Sequence, residues 1–166
     1  FAKNYKTHII SISGGEPLLH PNFIDIIKTF QKNNLKIHLN TNATLLNDFW
    51  IDMLVSMGIK NYSISLDSNN NSINAQIRKN SETDNIIQSI KKLSNKLDNN
   101  SIAINCVITK INYKTIIELL KFLNEINIKI INFNLPIFNN QFRDNIFNNN
   151  IYFTKNDIDE LKFILK

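Results

Sequence analysis

Short runs rich in isoleucine alternate along this chain with segments whose apolar residues recur at helical spacing. No other feature constrains the fold as much. Runs near Thr7–Ser13, Leu35–Asn40, Asn61–Leu66, Ser101–Ile108 and Ile128–Asn134 read as strands. Between them, Phe23, Ile26, Ile27 and Phe30 make one helical stripe, and Ile51, Leu54 and Val55 a second. Ile86, Ile87, Ile90, Leu93 and Leu97 make a third, and Ile116, Leu119, Leu120 and Leu123 a fourth. Asn47 is a candidate N-cap, Gly58 a helix stop, and Thr154-x-x-Asp157 a capping box that starts a last helix. Strand–helix units repeated every ~25–40 residues imply parallel strands joined by right-handed crossovers. The expected class is α/β, a partial (β/α) barrel of five parallel strands with helices outside. An open doubly wound sheet is the alternative that the pattern leaves. Residues 1–137 are expected to form the barrel, and residues 138–166 a linker loop and the start of a C-terminal helix or further domain. Asn69–Asn71 and Phe138–Asn150 read as polar loops.

Side chains alternate between the two faces of a strand. Tyr62, Ile64 and Leu66 therefore oppose Ser63, Ser65 and Asp67, and Ile37 and Leu39 oppose His38, Asn40 and Asn42. Ser11 and Ser13 oppose Ile10 and Ile12. Asn105 lies opposite Ile104 and Cys106, and Asn132 and Asn134 share one parity. Parallel strands covered by helices are usually apolar on both faces. Here one face is polar toward the C-terminal ends of the strands, where ligands of parallel α/β folds bind. The pattern implies an inner face lined for water and a polar ligand, with His38, Asn105 and Asn134 as candidate substrate contacts.

The formal charge is +5, but the lysines are dispersed over expected helix faces and strand ends. No basic cluster with interleaved aromatics marks a nucleic-acid groove, so no nucleic-acid partner is expected. No apolar run approaches the roughly 20 residues that span a bilayer, and no membrane partner is expected. Phe1 is not an initiator Met, and the helical pattern still runs at Lys166, so a piece of a longer protein is expected. The one cysteine, Cys106, cannot make an intrachain disulfide or build a thiolate metal site alone, and it falls on the helix-facing parity as a core thiol. A reducing, cytoplasmic setting fits.

The first strand ends in Ser13-Gly14-Gly15-Glu16-Pro17, where two glycines allow close backbone approach to a ligand. Three further segments follow at successive strand ends: Asn40-Thr41-Asn42-Ala43, Ser63-Ile64-Ser65-Leu66-Asp67-Ser68, and Asn105-Cys106-Val107-Ile108-Thr109-Lys110-Ile111-Asn112. The ordered set, from Ile9 to Pro136, resembles the radical S-adenosylmethionine (SAM) superfamily. It looks closest to the branch of peptide-modifying enzymes that includes anaerobic sulfatase maturases. The cyclase of molybdenum-cofactor synthesis is a similar relative.

The resemblance implies a SAM site made by Gly14, Gly15 and Glu16 at the amino group, Thr41 and Asn42 lining the pocket, and Ser65 and Asp67 at ribose or carboxylate. Arg78 would pair with the SAM carboxylate through its bidentate fork. Ala43 stands where the family has glycine. The family also carries Cys-x-x-x-Cys-x-x-Cys before this region, ligating a [4Fe–4S] cluster whose free iron binds SAM. Only 13 residues precede Gly14, and none is Cys. The resemblance thus implies a parent enzyme that reductively cleaves SAM to a 5′-deoxyadenosyl radical. That radical abstracts hydrogen from a peptide or protein substrate, with electrons from an external donor. This chain would lack both the cluster ligands and the activity. A cyclase-like enzyme and a degenerate, non-catalytic binding barrel are the alternatives.

Overall fold

In a computed structural model of the chain, residues 8–79, 81–98, 100–136 and 153–164 are described. Five strands, β1 (Ile9–Ile12), β2 (Lys36–Thr41), β3 (Asn61–Ser65), β4 (Ile102–Val107) and β5 (Ile130–Asn134), form one sheet in the order β1-β2-β3-β4-β5. Every neighbouring pair is parallel. A doubly wound sheet would reverse its order at a switch point. This one never does, so the partial-barrel reading holds and the alternative falls.

Helices α1 (Phe23–Lys32), α2 (Asp48–Ser56), α4 (Thr83–Lys96) and α5 (Ile116–Glu125) connect the strands, with α3 (Asn71–Ile77) preceding α4 and α6 (Lys155–Ile164) following β5. One core holds Ile37, Leu39, Tyr62, Ile64, Ile102, Ile104 and Cys106 of the sheet. It also takes in Ile27 of α1, Leu54 of α2, Ile90 and Leu93 of α4, and Leu119 and Leu123 of α5. Burying such side chains stabilises by about 1.5–3 kcal/mol each. That burial fixes which face of each strand meets the helices and leaves the opposite, polar parity on the other side.

Three of the helix-to-strand turns share one construction. After α1, α2 and α5, the residues Asn34, Gly58 and Asn127 take φ of 58°, 76° and 62°. The following N–H then reaches back to the last turn: Leu35 to the Phe30 carbonyl (3.2 Å), Ile59 to Leu54 (3.1 Å) and Ile128 to Leu123 (2.9 Å). Each is a Schellman closure. Gly58 was legible as a helix stop, and the two asparagines are the same device in another residue type. The expected caps are also present. Asn47 Oδ1 accepts from the Trp50 N–H at 3.1 Å, and Thr154 and Asp157 bond reciprocally at the start of α6.

One expectation is corrected. Asn69–Asn71 is not simply a loop, because Asn70 Oδ1 accepts the Ile73 N–H (3.2 Å) and caps α3. Helix α6 packs Leu161 and Ile164 against Ile108, Tyr113 and Ile116, and the Tyr113 hydroxyl donates to Glu160 Oε2 at 2.7 Å. The polar loop expected at Phe138–Asn150 lies outside the described residues. Among the described residues, no helix is long and apolar enough to cross a membrane.

The turn construction gives a test. Asn34→Ala should lower stability by about 1 kcal/mol, because a Cβ without a local hydrogen bond is disfavoured at positive φ. Asn34→Gly should hold or raise it. Urea unfolding of the two variants checks the sign of the difference.

Candidate functional site

The polar parity of the strands carries lateral hydrogen bonds. Asn40 Nδ2 donates to Ser11 Oγ at 2.7 Å, His38 Nε2 lies 2.8 Å from Ser63 Oγ, and Asn132 Nδ2 donates to Asn105 Oδ1 at 3.0 Å. These bonds run across the sheet and hold the side chains on one face, ready to present their remaining donors and acceptors. Burial holds the His38 ring below its ordinary pKa, which favours the neutral imidazole. Asn134 is exposed at the end of β5, and its carbonyl accepts the Ile108 N–H at 2.8 Å.

The end of β1 is built around Glu16. Its Oε1 accepts from the Thr41 hydroxyl (2.8 Å) and the Leu18 N–H (3.3 Å), and its Oε2 accepts from the Asn42 N–H (2.8 Å). The carboxylate therefore clasps the loop after β1 to the end of β2. A carboxylate has about four lone-pair sites, so room for one further donor is left. Gly14, at φ +156°, and Gly15 are exposed, and a Cβ at either would meet nothing within 4 Å. Among the described residues, no hydrogen bond engages their peptide groups. The Gly14 and Gly15 carbonyls thus have no partner among the described residues, and Glu16 beside them has room for one further donor. The Glu16 carboxylate alone is mostly committed.

Thr41 is buried, and its hydroxyl also accepts the Ala43 N–H at 3.0 Å, so it braces the loop from below. Asn42 Oδ1 accepts both the N–H (2.9 Å) and the hydroxyl (2.7 Å) of Thr44, which leaves the Asn42 Nδ2 side free to donate. Ala43 takes φ +61° and is buried in the core. The loop keeps the left-handed conformation that glycine ordinarily supplies, at a cost of roughly 1–2 kcal/mol.

At the end of β3, Ser65 is half-buried on the polar face, and just past it Asp67 is almost fully enclosed, at 1% exposure. Asp67 Oδ1 accepts the Val107 N–H of β4 at 2.7 Å and the Arg78 Nη2 at 3.3 Å, while Arg78 Nε lies 2.8 Å from Oδ2. The Nε approach is off the hydrogen-bond line, so this second contact is chiefly Coulombic. Burial pushes the Asp67 carboxyl above its ordinary pKa, and the guanidinium and the Val107 N–H partly offset that. Asp67 and Arg78, both expected to contact SAM, are thus also partners of each other.

Two asparagines complete this corner. Asn74 Oδ1 accepts the N–H groups of Asp67 (3.0 Å) and Ser68 (3.3 Å), and its Nδ2 donates to Ser81 and Thr83. Asn112 Nδ2 donates to the carbonyls of Asp67 (2.7 Å) and Val107 (3.0 Å), and its Oδ1 accepts from Thr109. Both are fully buried. Asn112 ends the last of the four strand-end segments, whereas Asn74 carried no sequence signal because it lies in a helix without an apolar stripe.

An open cavity of about 470 Å³ brings Asn42 and Thr44 of the β2 loop together with Arg78 and Ser81. Its size falls within the usual range for a small-molecule site. Two other cavities, of about 270 and 480 Å³, lie between α2 and α4 and beside the start of β2 and β3, and hold none of the candidate ligand-binding residues. Among the described residues, no group of three His, Cys, Asp or Glu side chains could hold a metal. Cys106 is buried on the helix side, and burial and then the Asp67 charge push its thiol up to about 12. It is an unreactive core thiol and fits no cluster site.

The family profile described as the radical SAM superfamily matches residues 1–151. A tungsten-containing aldehyde ferredoxin oxidoreductase cofactor-modifying protein of Pyrococcus furiosus is 27% identical over 147 residues, covering 84% of this chain and 41% of that protein. A probable GTP 3′,8-cyclase of Methanocaldococcus jannaschii is 31% identical over 118 residues, covering 70% of this chain and 39% of that protein. The crystal structure of Streptococcus suis SuiB superposes with a TM-score of 0.74 at 21% identity, covering 95% of this chain and 35% of SuiB. SuiB structures bound to SAM and to the precursor peptide SuiA each superpose at 0.72. The chain thus spans less than half the length of each of these proteins.

The clasp at Glu16 predicts a local weakening. Glu16→Ala removes both acceptor oxygens, so the Asn42 and Leu18 N–H groups lose their partner. Leaving a partly buried donor unmet costs about 1–3 kcal/mol. Amide hydrogen exchange at Asn42 should speed up accordingly, while exchange in β4 stays unchanged.

Proposed function

Since this chain belongs to the radical SAM superfamily, we propose that the full-length protein is an enzyme that binds SAM at the C-terminal ends of β1 to β3 and uses it to take hydrogen from a peptide or protein substrate. The reading rests on two groups beyond the C-terminal ends of β1 and β3 that suit the two charges of SAM's amino-acid arm. SAM ends in an ammonium group and a carboxylate. Gly14 and Gly15, exposed and with no hydrogen bond to their peptide groups among the described residues, suit the first. The Arg78 guanidinium, bordering the cavity it shares with Asn42, suits the second. Ser65 offers a hydroxyl to the ribose or carboxylate, and Asn42 offers an amide donor to the pocket wall.

A [4Fe–4S] cluster of the kind the family carries would supply the electron for reductive cleavage of SAM, received from an external donor. The residues of this chain do not fit that cluster, because it has one cysteine and that thiol is buried. We place the cluster ligands in the full-length protein outside this chain, and expect the 166 residues alone to be inactive. What these residues contribute is orientation of SAM and a polar wall around the reacting carbon. A reducing, cytoplasmic setting accords with the single, buried thiol.

The character of that wall favours a peptide over a nucleoside triphosphate. Apart from Lys36 at the start of β2, the polar-face strand positions from Ser11 to Asn134 carry no lysine or arginine. A triphosphate requires cations. The neutral hydroxyls, amides and imidazole of Ser63, His38, Asn105 and Asn134 instead suit peptide groups. Similarity to the probable GTP 3′,8-cyclase keeps the cyclase as the second reading.

Two measurements follow. The 166-residue chain, incubated anaerobically with iron and sulfide, should show no stable [4Fe–4S] absorbance, and Cys106→Ala should leave the cluster content of the full-length protein unchanged. The full-length protein, reduced in the presence of SAM, should release 5′-deoxyadenosine, and Glu16→Ala should weaken SAM binding. A full-length protein that binds SAM but releases no 5′-deoxyadenosine would be a non-catalytic binding module instead.

A further inference from the structure

We propose that Asp67 is a positioning residue. It does not touch SAM but fixes the Arg78 guanidinium at the edge of the cavity before the SAM carboxylate arrives. The proposal deepens the reading above and rests on Arg78 being the carboxylate partner.

The two side chains differ in access. That of Asp67 is 0% exposed and that of Arg78 is 27% exposed. The carboxylate is enclosed and cannot reach a ligand, while the partly exposed Arg78 lines the cavity shared with Asn42. Asp67 engages the Nε and Nη2 side of the guanidinium, at 2.8 and 3.3 Å. A guanidinium carries five N–H donors in a planar fork. The Nη1 donors and the rest of Nη2 therefore remain for a second carboxylate. One arginine held between two carboxylates, one internal and one brought by the ligand, explains why a full charge is buried here.

Asp67 can act as an anchor because it does not move. Its carboxylate accepts the Val107 N–H, its own N–H is held by Asn74, and its carbonyl is held by Asn112. Arg78, by contrast, follows the end of α3, where its backbone is extended at φ −112° and ψ 91°. Without Asp67, a long side chain on such a segment would sample many rotamers, and ordering it would weigh against binding. An arginine that enters the bound geometry beforehand lets the ligand meet a fixed cation.

Binding of two ligands to the full-length protein tests the proposal: SAM, and 5′-deoxy-5′-methylthioadenosine, which keeps the nucleoside and sulfur but lacks the amino-acid arm. Asp67→Asn and Arg78→Ala should each weaken SAM about tenfold or more, as expected for loss of a charge-assisted bond. Neither should change methylthioadenosine affinity by more than about twofold. The double variant should bind SAM about as weakly as Arg78→Ala alone, because Asp67 acts only through Arg78. Equal losses for both ligands in Asp67→Asn would show that Asp67 touches the nucleoside or merely supports the fold, and would overturn the proposal. So would losses that multiply in the double variant. If Asp67→Asn does not fold, Arg78→Lys keeps the charge but loses the fork that Asp67 grips. It should show the same selective loss, and wild-type affinity would again overturn the proposal. Failure of the underlying reading is separately visible, since Arg78→Ala would then leave SAM binding intact, or the wild-type protein would bind no SAM.

Discussion

Burial of one face of a parallel sheet is the constraint on which the rest of the molecule depends. The side chains of Leu39, Tyr62, Ile64, Ile104 and Cys106 are closed off by four helices, and no slip of register is tolerated without exposing them. The opposite parity then has to face inward wherever the sheet curls. Its serines, asparagines and His38 satisfy one another sideways across neighbouring strands, which lowers the cost of a polar interior and leaves donors and acceptors over for a ligand. Strict sequential order, with every strand beside the next, turns that face into a continuous wall.

The strand ends are held by a device used twice. Glu16, after β1, accepts the Asn42 N–H just past β2 at 2.8 Å, and Asp67, after β3, accepts the Val107 N–H of β4 at 2.7 Å. In both places a carboxylate ties the exit of one strand to the exit of its neighbour through a backbone donor. The two differ in what remains open. Glu16 is half-buried, with free glycine carbonyls beside it, so its side of the site is rich in acceptors. Asp67 is enclosed and presents only its partner, so its side shows a cation. The proposed pocket for an amino-acid zwitterion would draw its polarity from these two similar clasps with different burial.

Much of this was legible in the sequence, and the limits are physical. The five strands and four long helices announced themselves through isoleucine runs and helical stripes, because both periodicities reflect burial on one side. The parity argument placed Ser65, Asn105 and Asn134 on the polar face, since alternation is a property of the backbone alone. Helix α3 was missed because Asn71–Ile77 has no apolar stripe; a capping side chain on Asn70 and the buried Asn74 amide hold it, and neither leaves a period. Parity tells which way Asp67 points and not what it meets. Its ion pair with Arg78, 11 residues away across α3, depends on the path of the chain. The resemblance named the two residues as ligand contacts, and the structure adds that they are linked to each other. The committed state of Glu16 was hidden for the same reason, because its partners Thr41 and Asn42 lie on another strand.

The central claim is that Gly14–Gly15 and the Asp67-held Arg78 form the two ends of one amino-acid-binding site. An anaerobic crystal structure of the full-length protein with SAM addresses it most directly. The account predicts electron density for the SAM ammonium group at the Gly14 and Gly15 carbonyls and for its carboxylate at Arg78, with the Asp67–Arg78 contact intact and Asp67 away from the ligand. A SAM carboxylate bound elsewhere, or an Asp67 side chain turned out to meet the ribose, would contradict it.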